Sequence, residues 1–128
     1  MATYFLDTSV IIDALNARNG RPALLERLLR ESHLLACCPI NVAEIYAGVR
    51  PKEEARTEAF LKSLELLALD WESAQLAGLF KRDWARRGVA LSVADCVIAA
   101  AAVRHGCTLI TDNAKHFPMR ELTLYRLD

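Results

Sequence analysis

The chain has no surplus of either charge: its 128 residues include sixteen Lys and Arg against sixteen Asp and Glu, a formal net charge of zero. No global field therefore draws it to nucleic acid or to an anionic membrane, and any such binding must be local. Long apolar runs are also missing. The longest, Cys96 to Val103, is far short of the ~20 residues that span a bilayer. The opening Met1-Ala2-Thr3-Tyr4-Phe5-Leu6-Asp7 has no basic leader and carries an acid where a secretory signal is apolar, so a cytoplasmic location is expected. Glycine and proline are scarce, at five and four residues, while 53% of the chain is hydrophobic. These proportions exclude fibrous, low-complexity and disordered classes.

The four cysteines, Cys37, Cys38, Cys96 and Cys107, form no C-x-x-C pair and have no histidine at zinc-finger spacing. Each sits among aliphatic residues, where a free thiol behaves as a small hydrophobe, so reduced core cysteines are expected. The three histidines, His33, His105 and His116, are isolated and suggest no Ser/His/Asp arrangement; surface or polar-rim positions are expected for them. At 14.3 kDa the chain fits one domain, residues 1–128, that can bury roughly two thirds of its unfolded surface.

Along the chain, apolar spacing and turn residues predict strands separated by helices. Thr3–Leu6 is a β-favouring run that stops at Asp7, and helical spacing follows over Val10–Leu15. Asn19-Gly20-Arg21-Pro22 reads as a turn opening a helix with the stripe Leu24, Leu25, Leu28 and Leu29. A second strand is expected over His33–Cys38, and then a helix capped by Asn41. Lys52–Glu65 predicts an exposed amphipathic helix, Leu66–Leu69 a third strand, and Trp71–Arg87 a longer helix with Leu76, Leu79, Phe80 and Trp84 on its buried face. Ser92 opens a helix that is apolar nearly all round. Thr108–Thr111 is the fourth strand expected and Leu122–Leu127 a fifth. The alternation predicts an α/β fold: a parallel, Rossmann-like sheet of four to five strands with helices on both faces. Ligands bind such sheets at the carboxyl edge.

Four acids are expected at that edge. Asp7 ends the first strand, Glu44 and Asp95 lie in the first turns of two following helices, and Asp112 follows the fourth strand. Singly, each has a structural explanation. Asn41-x-x-Glu44 and Ser92-x-x-Asp95 match the capping-box pattern, Asp7 can cap its helix, and Asp112-Asn113 can form a turn. Gathered in one place, carboxylates about 4 Å apart would repel by about 4 kcal/mol per pair at an effective dielectric near 20. A divalent cation relieves that repulsion, and oxygen-only ligands suit Mg²⁺ or Mn²⁺ and phosphate chemistry.

The blocks Phe5-Leu6-Asp7-Thr8-Ser9-Val10, Asn41 to Gly48, Ser92 to Ala100 and Leu109 to Phe117 resemble, in order and across the whole chain, the four signature blocks of PIN-domain ribonucleases. The subgroup most similar is the VapC-type toxin. The resemblance implies a Mg²⁺- or Mn²⁺-dependent endoribonuclease that hydrolyses RNA by metal-activated water, with Asp7, Glu44 and Asp95 as the central acids. It implies Asp112 as the fourth catalytic and metal-binding acid, with Asn113 as an alternative occupant of that place. Ser9 and Thr111 become candidates to orient carboxylates or phosphate through their hydroxyls, beside their capping and turn roles. The resemblance also implies a small antitoxin partner covering the acidic cleft, and a homodimer.

Other polar residues have simpler assignments: Asp13 as a solvated or capping acid, Asp70 as a helix N-cap, and Lys81, Arg82, Arg86 and Arg87 as a solvated basic helix end. Trp71 and Trp84 are expected in a core or dimer interface. Apolar side chains over Leu24–Leu29 and Phe60–Leu64 form core or line a groove for a partner helix. Two rival functions remain. An inert PIN-like module would bind RNA or protein through the same cleft. An aspartyl-nucleophile phosphohydrolase would use Asp7, but such enzymes carry a second acid two residues on, where this chain has Ser9.

Overall fold

In the computed structural model, which describes residues 1–127, five parallel strands form one sheet. They are β1 (Thr3–Leu6), β2 (Leu34–Cys37), β3 (Glu65–Leu66), β4 (Thr108–Ile110) and β5 (Thr123–Tyr125), in the order β3-β2-β1-β4-β5. The chain thus starts in the middle of the sheet, winds outward to β3, and returns to β1's other side for β4 and β5. The reversal lies between β1 and β4, paired Tyr4 to Thr108, Phe5 to Leu109 and Leu6 to Ile110. Residues that directly follow these two strands flank the crevice where such sheets take ligands.

Six helices connect the strands: α1 (Thr8–Leu15), α2 (Arg21–Arg30), α3 (Pro39–Gly48), α4 (Glu54–Lys62), α5 (Trp71–Ala85) and α6 (Val93–Arg104). Because successive strand residues point to opposite faces, Phe5 and Leu109 enter one core with α5 and α6, whereas Leu6 and Ile110 enter the other with α1, α2, α3 and α4. Both cores are needed because a parallel sheet is apolar on both faces. Helix α6 presents Cys96, Ile98 and the run Ala99–Ala102 to the first core. Small residues there let α6 lie close under the sheet and against α5. Gly106, at φ +67°, takes the left-handed turn after α6 that releases the chain into β4. Among the described residues no helix is long and apolar enough to cross a membrane. All four cysteines are free and buried.

Several boundaries differ from expectation. The third strand is only Glu65–Leu66, not Leu66–Leu69, because Ala36 and Cys37 are the only β2 residues that pair with it. Lys52–Glu65 is not one helix: Pro51–Glu53 forms a separate 3-10 turn before α4. Leu29 and Leu79 are exposed rather than core, at 54% and 37%, and Trp71 is 75% exposed, which takes it out of this chain's core altogether. On α5 the deeply buried face is instead Ser73, Ala77 and Phe80.

The largest correction concerns α3. Pro39 begins the helix and Cys38, not Asn41, is its N-cap. Proline has no N–H to satisfy at that first position, so the helix starts three residues earlier than an Asn41 cap would place it. Asn41 occupies the third helical position, where its Oδ1 accepts from the Cys38 N–H at 2.8 Å. Glu44 consequently lies in the second turn and has no capping role.

Candidate active site

Asp7 caps α1: its Oδ1 accepts from the Thr8 N–H at 2.8 Å. Its own N–H donates to Ile110 O, continuing the β1–β4 ladder past the strand end. The other carboxylate oxygen, Oδ2, accepts from Thr111 Oγ1 at 2.7 Å in a buried contact. Thr111 Oγ1 also accepts from the Asn113 N–H. Asp7 is only 5% exposed. Its carboxyl pKa is raised, first by burial and further by the charges of Asp95 and Glu44, although the Thr111 and Thr8 hydrogen bonds pull the other way. Three of the four expected acids are therefore near enough to act on one another.

Glu44 is held from α1. Its Oε1 accepts from Thr8 Oγ1 at 2.7 Å, and Thr8 Oγ1 in turn accepts from Asn41 Nδ2 at 3.0 Å. Asn41 is fully buried and also donates to Leu6 O at 3.3 Å. This amide thus ties the carboxyl end of β1, the start of α1 and the start of α3 into one unit. Thr8 and Asn41 were not among the residues that sequence reasoning placed in the site. The available signal was Asn41's position one helical turn before Glu44, masked by its apparent role as a cap.

Asp95 occupies the third position of α6. Ser92 caps that helix by accepting from the Asp95 N–H at 3.0 Å, but the return bond that would complete a capping box is not made. The Asp95 carboxylate instead stands 3.5 Å from His116 Nδ1. This places His116 at the rim of the acidic site rather than on remote surface. His33 and His105 make backbone contacts elsewhere, with Ala2 N–H and Ala68 O.

Asp112 differs from the other three. Its Oδ1 accepts from Ser9 Oγ at 3.0 Å and its Oδ2 lies 3.6 Å from Arg21 Nη2. Among the described residues no lysine or arginine forms an ion pair with Asp7, Glu44 or Asp95. The Asn113 side chain makes no hydrogen bond to any of the acids; its N–H donates to Thr111 Oγ1 and its carbonyl accepts from the His116 N–H. Asp13 accepts from Asn19 Nδ2, and Asp70 caps α5 by accepting from the Ser73 N–H. Of the basic end of α5, Lys81 donates to Leu91 O, Arg82 pairs with Asp83, and Arg87 lies 4.7 Å over the Trp84 ring.

Among the described residues no group of three or more His, Cys, Asp or Glu side chains stands close enough together to hold a metal ion. The donor set is oxygen only, and Asp7, Glu44 and Asp95 carry like charges without a Lys or Arg counter-ion. That chemistry fits a hard divalent cation which keeps several water or phosphate ligands rather than one enclosed by protein. It does not fit a structural zinc centre, since all four cysteines are buried and, among the described residues, none joins His, Asp or Glu in a group that could hold the metal.

An open α/β sheet with acids at its reversal point defines a class of cleft, and comparison with known proteins gives the family. The PIN domain family model matches residues 4–120, and the chain belongs to that family. It is 29% identical over 114 residues to "Ribonuclease VapC19" of Mycobacterium tuberculosis, covering 89% of this chain and 91% of the relative. It is 25% identical over 122 residues to the "tRNA(fMet)-specific endonuclease VapC" of Salmonella typhimurium, covering 91% of each. Among solved structures it is similar to VapBC2 from Rickettsia felis bound to a promoter DNA fragment, with a TM-score of 0.84, 25% identity and coverage of 96% and 97% of the two chains.

Proposed function

We propose that this chain is a Mg²⁺- or Mn²⁺-dependent endoribonuclease of the VapC type, working as one nuclease domain in the cytoplasm as the toxin of a toxin–antitoxin pair. The observation that carries the reading is the set Asp7, Glu44 and Asp95 at the carboxyl edge of the sheet, with Asp95 and Glu44 both acting on Asp7 and none of the three paired with a Lys or Arg among the described residues, in a member of the PIN family. These three carboxylates would hold the cation. When bound, such an ion supplies a hydrolytic nucleophile from water at neutral pH and compensates charge on the leaving oxygen.

The chain's own residues set the stage for that chemistry. Thr111 and the Thr8 N–H each bond one oxygen of Asp7 and so hold its carboxylate in one orientation. Asn41 and Thr8 hold Glu44 through a chain of two hydrogen bonds. Among the described residues no Ser or Cys is hydrogen-bonded to a His ring as an alternative nucleophile. The phosphohydrolase alternative is further weakened because Ser9, in the place of its second acid, is bonded to Asp112.

The partner assignment rests on a groove between α2 and α4. A cavity of about 370 Å³ is lined by Leu25, Leu29, Leu34, Phe60 and Leu64, and the exposure of Leu29 opens it to a partner's apolar segment. The relatives' VapBC complexes support an antitoxin as that partner. Leu66, Trp71 and Val93 leave large apolar side chains exposed, at 61%, 75% and 60%. This supports a homodimer.

The test is cleavage of a labelled single-stranded RNA by purified protein with Mg²⁺ or Mn²⁺, alongside Asp95→Asn and EDTA controls. Cutting by wild type alone is expected. RNA binding without cleavage under every metal condition would favour the inert-module reading.

A further inference from the structure

We infer that Arg21 is a positioning residue whose guanidinium holds Asp112 at the rim of the acidic site and removes it from the carboxylates free to bind a cation. The inference rests on the reading above, that the acids hold a divalent ion. It divides them into three free carboxylates, Asp7, Glu44 and Asp95, and one that is already paired.

Arg21 is the only Lys or Arg among the buried residues of the described chain. Its local surroundings give no reason for a cation there. It is the first residue of α2, at the end of a helix where the backbone dipole opposes positive charge. The N-cap is Gly20, which offers no side chain. Nη1 donates to Asn19 O at 2.9 Å, but Nε is buried without any hydrogen-bond partner. Leaving a buried donor unpaired costs stability, so the placement is not explained by the fold's own requirements. What compensates the charge is Asp112, 3.6 Å from Nη2.

Both oxygens of Asp112 are thereby committed to protein, Oδ1 to Ser9 on α1 and Oδ2 to Arg21 on α2. Asp7 and Glu44 accept only from neutral donors, and Asp95 faces only His116. A cation arriving at the site meets three unneutralised carboxylates and a fourth whose charge is cancelled. Arg21 is buried while Asp112 faces the rim, so removing Asp112 alone leaves a buried charge unmatched, whereas removing both charges together is often nearly neutral. That asymmetry supplies the test.

Mn²⁺ binding to the full chain is measured by titration calorimetry, without RNA, after circular dichroism establishes that each variant is folded. Asp112→Asn unmasks the Arg21 charge, and binding should weaken by about three- to tenfold. Arg21→Met/Asp112→Asn removes both charges and should return to within about twofold of wild type. Arg21→Met alone releases Asp112 and should bind Mn²⁺ more tightly than wild type, while Arg21→Lys should match wild type. A double variant as weak as Asp112→Asn would show that Asp112 itself ligates the ion and would overturn the proposal. So would an Arg21→Met protein that binds no more tightly than wild type. Failure of wild type and every variant to bind Mn²⁺ would instead sink the metal reading, and this inference with it.

Discussion

Thr111 donates its hydroxyl hydrogen to Asp7 Oδ2 at 2.7 Å, joining the residues that follow β4 and β1 across the point where the sheet reverses its winding. Thr111 Oγ1 also accepts from the Asn113 N–H, so one hydroxyl fixes both the central acid and the loop beyond it. Thr111→Val keeps the shape but leaves a buried carboxylate oxygen and a backbone N–H without partners. A loss of about 1–3 kcal/mol is expected in urea unfolding, with RNA cleavage falling about tenfold or more as Asp7 loses its orientation. Unchanged kcat/KM in a folded Thr111→Val protein would count against this role.

Asp7 is a carboxyl whose pKa is raised in the folded state by burial and by Asp95 and Glu44. The folded protein therefore keeps a proton that the unfolded chain gives up near the ordinary value of 3.8. Between that value and the raised folded pKa, the native state binds more protons, so rising pH lowers stability. In EDTA, Asp7→Asn should melt a few degrees higher than wild type above that window and lose the advantage below pH 3.8. Its cleavage activity should drop by at least about a hundredfold. Mn²⁺ should stabilise wild type and have little effect on the variant, which a paired thermal-shift series checks.

The sheet, its parallel sense and the carboxyl-edge placement of all four acids were legible from the alternation of apolar runs with turn residues. A strand end was clear where a chemical signal coincided with it, as at Leu6–Asp7, whereas the fourth strand ends at Ile110, one residue short of the expected Thr111, whose hydroxyl is bonded to Asp7. The expected bounds failed at β3, where pairing to β2 rather than local hydrophobicity decides the length. The start of α3 was misplaced because Pro39 and Asn41 both carry helix-opening signals, and the structure uses proline first. Arg21 was invisible for a different reason: its burial depends on Asp112, ninety-one positions away in the chain, and a surface arginine at a helix start looks the same in sequence.

Asn41 separates the corrected assignment from the earlier one. As a simple N-cap, its replacement by alanine would cost about 1 kcal/mol. As the buried amide that joins Cys38 N–H, Leu6 O and Thr8 Oγ1, it leaves several polar groups unpaired when removed. Asn41→Ala should cost about 2–4 kcal/mol, and a folded fraction should cleave RNA more slowly because Thr8 no longer holds Glu44. Chemical denaturation distinguishes the two magnitudes.

The cysteines give a prediction independent of the active site. Burial pushes the Cys37 thiol up to about 11, and it raises Cys38, Cys96 and Cys107 in the same direction. Reaction with iodoacetamide needs the thiolate and access to it, and the native fold withholds both. Near pH 8 the folded protein should therefore label very slowly at all four positions, and unfolding in guanidinium should expose all four together. Because these thiols sit on both sides of the sheet, with Cys37 in one core and Cys38, Cys96 and Cys107 in the other, labelling also reports on cooperativity. If the two layers open as one unit, Cys37 and Cys96 should gain mass at the same rate across a denaturant series in peptide mass spectrometry. Faster labelling of Cys37 alone would show that the α1–α4 layer, which carries the groove and Glu44, opens without the α5–α6 layer.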